Sequence, residues 1–443
     1  MLTGMDDLSL LPGTRERPFV FELNEKPPIF NNLLYGLQWV LIAIPNVVIF
    51  SALCSRALGL HPSDQIIFSQ RLLIATGLTT ILQSLKGHRY PILEGPSSAL
   101  LLSFIILAPE GLSVIEGGLI FGSLLLVATG KFRWFNRFSA LFTPNVIGVI
   151  LILVAFTLLP FLYPMLIGMN TTHPSGELGV CGLSMVIILF VSFLSYRMRG
   201  FFQTTSMLAG ILLGLIISLF QGRVDSSVVG ESAWLALPFP SFGVWPAFSL
   251  PAILSIVCTY LAVMINTVGS IRAMAEVVGK EGVEDRIHRG IYMTGTGGFI
   301  SALLGVVGLV SVSISTGVVL VSRVASRYVL TLSGAIMIAC AFIPKLWAVL
   351  TAIPSSIVAG VLFVVLSSQI MAGINVILSG KKEIERREYF VVGLSILLGT
   401  TISFLPKPFF HLFPGTIAPV LSNGLVMGLL CCLLFEHLLF QQK

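Results

Sequence analysis

Apolar runs of roughly 16 to 27 residues, separated by short polar breaks, follow one another along almost the whole chain, and about 20 such residues suffice to cross the hydrocarbon of a bilayer as a helix. The breaks delimit expected spans at 31–55, 66–85, 92–107, 112–130, 141–164, 182–198 and 201–219. After a longer stretch bearing Pro and Trp (220–248) they resume at 249–275, 290–305, 309–327, 328–347, 351–371, 388–405 and 416–439. The pattern predicts an all-α polytopic membrane protein of about fourteen spans, an even number that puts both termini on one side.

Seven spans, an outer connection and seven more is the organisation of a repeat, and an odd number per half forces the second copy to be inverted. The expected division is a cytoplasmic tail (1–30), a first repeat (31–219), the outer connection (220–248) and a second repeat (249–439). A local echo supports it. "FTPNVIGVILILV" (142–154) opens the fifth span and "IPSSIVAGVLFVV" (353–365) the twelfth, with Gly148 and Gly360 each four residues after Pro144 and Ser356.

Two spans break the helical pattern. In "GLVSVSISTGVVLVS" (308–322), Ser311, Ser313 and Ser315 alternate with Val310, Val312 and Ile314, a period of two that predicts a short extended strand before Gly317 and an aliphatic half-helix. In "YPILEGPSS" (90–98), Pro91, Gly95 and Pro96 precede the apolar run from Ala99. Backbone that is not helical is tolerated at membrane depth only where protein buries it or a cavity adjoins it. Interrupted segments at matching places in two halves therefore point to a binding site near the midplane.

Composition agrees with the spans: 55% of residues are hydrophobic, 10% are charged, and the mean hydropathy is +0.96. The net charge of +6 marks topology rather than a nucleic-acid partner. With a cytoplasmic N-terminus, 21 of the 26 Lys and Arg fall in inner segments; Arg56, Arg71, Arg223, Lys345 and Lys407 do not. The protein is expected in the cell (inner or plasma) membrane with both termini cytoplasmic. The first 30 residues are mixed in charge and lack an apolar core, so no cleaved signal peptide is expected.

The six cysteines lack metal-type spacing and read as packing residues. The six histidines fall in loops or at span edges, so no metal centre, resident cofactor or enzymatic activity is expected. Of the 20 acidic residues, Glu94 alone is placed deep between helices. An acid there is costly and is a functional candidate by default. Able to be neutral or charged, it is the candidate for coupling substrate binding to a proton. The competing reading is that Glu94 caps the half-helix or pairs with Arg89 or Lys86. Gly95, Ser313, Ser315 and Thr316 share the interrupted segments with it; the hydroxyls either meet a ligand or permit close helix packing. Asn266, in "AVMINTVGSIRAM" (262–274), and Gln38, in "YGLQWVLIAIP" (35–45), are amides that either bridge helices or touch a ligand, and Trp39 reads as packing.

With these motifs in order, the chain resembles the nucleobase:cation symporter family that includes nucleobase-ascorbate transporters and bacterial uracil and xanthine permeases. "GLQWVLIAIP" is similar to the family's first-span opening, "YPILEGPSS" to its third-span strand, "FTPNVIGVI" to its fifth span, "INTVGSI" to its eighth-span site segment and "AIPSSIVAGV" to its twelfth. Gly317, Ser322 and Arg323 fit its tenth-span signature. The resemblance implies two inverted repeats, a core and a gate domain, a homodimer, and a nucleobase bound between the third and tenth strands and the eighth span, with proton or sodium symport. It also exposes departures. The family's eighth-span glutamate is Asn266 here, its acidic or amide position before the tenth-span glycine is Ile314, the asparagine that follows is Ser315, and its first-span histidine is Trp39. Glu94 stands where uracil permeases are aliphatic, and a divergent branch of purine permeases carries a similar Leu/Met-Glu-Gly-Pro stretch. The expectation is a permease for a purine such as xanthine, uric acid, guanine or hypoxanthine, with Glu94 as the relocated acid. The rivals are an anion transporter of the sulfate-permease type, a channel, or a receptor-like protein that does not transport.

Overall fold

The computed structural model describes residues 19–138, 141–170, 173–198, 203, 205–223, 227–238, 245–379, 385–410, 412–415 and 417–440. Each predicted span holds a helix, and these are numbered here in chain order, with the short connecting helices left unnumbered. They are α1 (Ile29–Leu58), α2 (Pro62–Leu85), α3 (Ser98–Leu107), α4 (Leu112–Lys131), α5 (Pro144–Leu166), α6 (Leu178–Arg197), α7 (Ser206–Phe220) and α8 (Leu250–Val278). There follow α9 (Val283–Leu303), α10 (Ser315–Ser322), α11 (Arg327–Ala341), α12 (Ser355–Leu378), α13 (Ser395–Phe404) and α14 (Gly424–Leu434).

Among the described residues, seven helices are long and apolar enough to cross a membrane: α1, α2, α4, α5, α6, α8 and α12. An eighth is formed if α11 is joined to the short helix Pro344–Thr351, which leaves it at 85°. The chain is therefore an all-α polytopic membrane protein, apart from two short strands. The other helices are short, or polar at one end as α9 is, whose first two turns carry Glu284, Asp285, Arg286, His288 and Arg289.

The helices pack in two groups. One holds α1–α4 and α8–α11, the other α5–α7 and α12–α14. Exchanging each helix for the one seven places away reproduces the main pairings: α4 with α9 becomes α11 with α2, α8 with α4 becomes α1 with α11, α12 with α6 becomes α5 with α13, and α6 with α7 becomes α13 with α14. Small residues let the backbones approach within each group. A Cβ on Gly77 would lie 2.6 Å from the Gly334 carbonyl oxygen, and a Cβ on Gly334 equally 2.6 Å from that of Gly77, so α2 and α11 touch backbone to backbone. Gly148 and Gly360 have unlike surroundings: the first faces Gly373 and Ile377 on α12, the second Ser184 and Ile187 on α6.

The interruptions predicted in the third and tenth spans are strands. β1 (Glu94–Pro96) pairs antiparallel with β2 (Leu309–Ser311), with Glu94 opposite Ser311, Gly95 opposite Val310 and Pro96 opposite Leu309. All six residues are buried, and each strand supplies the partners that the other's backbone needs in a medium without water. The ladder is extended by Ser97 N–H to the Gly308 carbonyl (2.9 Å) and Val312 N–H to the Leu93 carbonyl (2.9 Å). Each strand runs into a half-helix, α3 or α10. Ser97 caps α3, its hydroxyl accepting from Leu100 N–H at 3.4 Å, so Glu94 is not the cap.

The second strand is shorter than the alternation predicted. It ends at Ser311; Ser313 lies in a turn and Ser315 is the first residue of α10. Residues 1–18 of the expected tail lie outside the described residues. The rest of it docks: Phe21 bridges Val324, Val20 N–H donates to the Arg323 carbonyl (2.7 Å) and Ala325 N–H to the Phe21 carbonyl (2.9 Å).

Candidate functional site

β1 carries Glu94 opposite Ser311, and β2 packs on α8, where Asn266 and Ser270, four apart, share a face. A continuous polar chain results. Glu94 is fully buried, and its Oε1 accepts from the Ser311 hydroxyl at 2.6 Å. The Ser311 carbonyl accepts from the Ser270 hydroxyl (3.0 Å), which lies 2.8 Å from the Ser313 hydroxyl. Ser313 in turn donates to Asn266 Oδ1 at 3.0 Å. Burial falls along the chain: Glu94, Ser311 and Ser270 are enclosed, Asn266 is half-buried and Ser313 is exposed. The arrangement places a buried acid behind an accessible pair. The Asn266 Nδ2 group, bonded to no other described residue, remains a donor at the open end.

The other expected site residues divide. Gly95 is on the strand face opposite Glu94, where a Cβ would meet Val312 Cγ2 at 2.8 Å, so that face leaves little room for a side chain. The Ser315 hydroxyl is used internally, donating to the Val312 carbonyl (2.7 Å) and accepting from Leu93 N–H (3.1 Å), and it is 1% exposed. That hydroxyl ties α10 to the third span and does not face the accessible pair. Thr316 and Gln38 are half-buried, and neither side chain is joined to Asn266 or Ser313. Trp39 is packed in the core.

Several residues of the site escaped the sequence reading. Thr80, on α2, accepts from Glu94 N–H at 3.2 Å. His88, expected at an edge, is fully buried, with Nε2 3.7 Å from Glu94 Oε1. A histidine six positions before a suspected intramembrane acid was the available signal. Beside it, burial raises the Tyr90 phenol above its ordinary range, with Arg286 opposing the shift. Nor is Glu94 the one buried acid: Glu116 on α4, Glu388 and Glu436 are also enclosed, the last held by Arg387 at 3.1 Å and by Asn145. Among the described residues no three His, Cys, Asp or Glu come together as a metal site.

A family model described as the permease family, that of xanthine and uracil permeases, matches residues 30–408. The chain belongs to the xanthine/uracil permease family. Its relatives there include the uric acid permease PucK of Bacillus subtilis (strain 168), 24% identical, with 93% of this chain and 96% of that protein covered. The nucleobase transporter PlUacP of Paenibacillus larvae is 25% identical over 92% of this chain and 94% of its own. The uric acid transporter UacT of Escherichia coli (strain K12) is 26% identical over 90% and 84%. As a permease-family member, the protein is a transporter and not an enzyme.

Among solved structures, the transmembrane domain of the cyanobacterial bicarbonate transporter BicA superposes with a TM-score of 0.61 at 14% identity, covering 85% of this chain and 96% of that one. The murine anion transporter Slc26a9 in its inward-facing state gives 0.61 at 12% identity over 92% and 68%. At such identity the likeness concerns the fold.

Proposed function

We propose that this member of the permease family takes up a purine base, such as xanthine, uric acid, guanine or hypoxanthine, by proton symport, with Asn266 and Ser313 holding the base and Glu94 carrying the proton. The single observation that supports it most is the polar chain from the accessible Asn266–Ser313 pair to the buried Glu94, in a chain whose relatives include a nucleobase transporter and uric acid permeases. A planar base offers N–H and C=O edges, and the open end of the chain offers the Asn266 amide and the Ser313 hydroxyl to meet them. A proton bound at Glu94 neutralises a charge that would otherwise cross the membrane within the moving unit.

The packing pattern that maps onto itself with a shift of seven supports two inverted repeats and about fourteen spans. The group holding the strands then acts as the core domain and the other as the gate, and transport is their relative movement. The 21-to-5 partition of Lys and Arg supports cytoplasmic termini. Assembly as a homodimer belongs to the same proposal and rests on the family resemblance.

The test is uptake of labelled purines, uracil and bicarbonate by cells expressing the chain, with and without a protonophore. Purine uptake that collapses with the proton gradient is the expected result. Bicarbonate uptake without purine uptake would replace this reading with the anion carrier, and purine uptake driven by sodium alone would remove Glu94's role.

A further inference from the structure

We propose that His88 is a positioning residue for Glu94: a neutral imidazole, locked with its proton on Nε2, that offers this N–H to Glu94 Oε1 and leaves Oε2 as the atom that takes up the transported proton. That the proton is a transported one rests on the permease reading; the geometry does not.

The tautomer follows from the surroundings. Tyr90 N–H donates to His88 Nδ1 at 3.0 Å, so that nitrogen is an acceptor and the proton of the neutral ring sits on Nε2. The loop that carries the ring is anchored at both main-chain groups. His88 N–H donates to Gln83 Oε1 (3.3 Å), and the His88 carbonyl accepts from the Arg286 guanidinium (2.9 Å). Gln83 is itself fixed, its amide donating to the Gly290 carbonyl and the Thr294 hydroxyl, both at 3.0 Å. Tyr90 stacks on the imidazole with centroids 6.5 Å apart at 19°, and its hydroxyl donates to the Gly279 carbonyl at 2.7 Å. A ring held in this way presents its Nε2–H as a donor, since Nδ1 is already an acceptor for Tyr90 N–H.

Nε2 of this donor and Oε2 of Glu94 are both buried with no hydrogen-bond partner among the described residues, in side chains of zero exposure. Oε1 is occupied by the Ser311 hydroxyl. The 3.7 Å between Nε2 and Oε1 is longer than a hydrogen bond, and a charge-assisted bond is shorter and about twice as strong as a neutral one. The gap therefore closes on the ionised carboxylate and relaxes on the neutral acid, which makes His88 a donor to one protonation state of Glu94. The ionisable groups next to His88 are Tyr90 and Arg89 from the same loop and Arg286 from α9, which donates to its carbonyl; farther out, Arg289 and Arg327 act on Arg89 and Glu281 on Tyr90. The neighbours on α2 and β2, namely Thr80, Gln83 and Ser311, are neutral.

The experiment reads Glu94 directly. In purified full-length protein, the infrared band of its protonated carboxyl is assigned by its loss in Glu94→Gln and titrated with pH. Removing the donor in His88→Leu disfavours the carboxylate, so the band persists to a pH higher by about one unit, a tenfold change in proton affinity. His88→Gln, whose amide carries an N–H to the same reach, titrates with the wild type. An unmoved midpoint in His88→Leu, or a displacement of equal size in His88→Gln, overturns the proposal. If His88→Leu does not fold, ¹⁵N-histidine spectra of wild type against His88→Gln decide: a neutral ring protonated on Nε2 supports the proposal, and one protonated on Nδ1 overturns it. Failure of the permease reading is seen separately, as an absence of purine uptake by the wild-type chain, whatever the titration of Glu94 shows.

Discussion

Glu94 and Ser311 stand opposite each other across the two-stranded ladder, one from each half of the chain, joined by a hydroxyl-to-carboxylate hydrogen bond of 2.6 Å. In an antiparallel pair, opposite residues project to the same face, so the register itself sets this contact. Ser311→Ala removes the donor while leaving the strand, and leaving a buried acceptor short of a partner costs about 1 to 3 kcal/mol. Purine uptake is expected to fall by about tenfold or more, with Ser311→Thr retaining most of it, as measured by initial rates at matched membrane levels.

Asn266 is held by Ser313 through Oδ1, and its amide N–H groups, bonded to no other described residue, lie at the accessible end of the polar chain. Asn266→Ala is expected to raise KM for the purine by about tenfold, the value of one lost hydrogen bond of roughly 1.4 kcal/mol, with a smaller effect on the maximal rate. Uptake kinetics over a range of substrate concentrations separate the two parameters. An unaltered KM would detach Asn266 from the substrate.

Gly77 and Gly334 bring α2 and α11 into backbone contact. Gly77→Leu places atoms where the Gly334 carbonyl lies, and no side-chain rotation relieves that. Loss of the folded protein is expected, read as a broken monodisperse peak in detergent size-exclusion chromatography, with Gly77→Ala intermediate. Gly317, whose Cβ position is open, is the matched control for folding, and Gly317→Ala is expected to leave the peak intact.

Asn423 caps α14 and crosses between the two helix groups, its Nδ2 donating to Ser103 (3.0 Å) on α3 and Ser255 (3.3 Å) on α8 while Oδ1 accepts from Val426 N–H. It is fully buried, so the contact closes this part of the interface. Asn423→Ala removes the latch without removing the helix. Ser255→Cys in a cysteine-free background is expected to react several-fold faster with a membrane-impermeant maleimide when Asn423→Ala is added. Equal rates would show that the contact does not hold the two groups together.

The interrupted third and tenth spans were legible because Pro91, Gly95 and Pro96 fall together within six residues ahead of an apolar run, where each weakens a helix, and because alternating Ser and Val have no helical face. The burial of Glu94 was legible from its apolar flanks. The end of β2 was not: the alternation continues through Ser315, but a turn at Ser313 starts α10, and the hydroxyl period cannot show where the backbone changes from extended to helical. His88 was hidden for a different reason. Its burial comes from α2 and α9 closing over the loop, through Gln83 and Arg286, contacts that no local pattern encodes. Glu116 and Glu436 escaped likewise, since Arg71 and Arg387 reach them from other helices.

The central claim is that Glu94 couples purine movement to protons, and purified protein in liposomes with an imposed inward proton gradient tests it most directly. Wild-type protein is predicted to accumulate labelled purine above its outside concentration and to lose that accumulation when the gradient is dissipated, whereas Glu94→Gln, inserted at the same density, is predicted not to accumulate it. Accumulation by Glu94→Gln equal to the wild type would contradict the account.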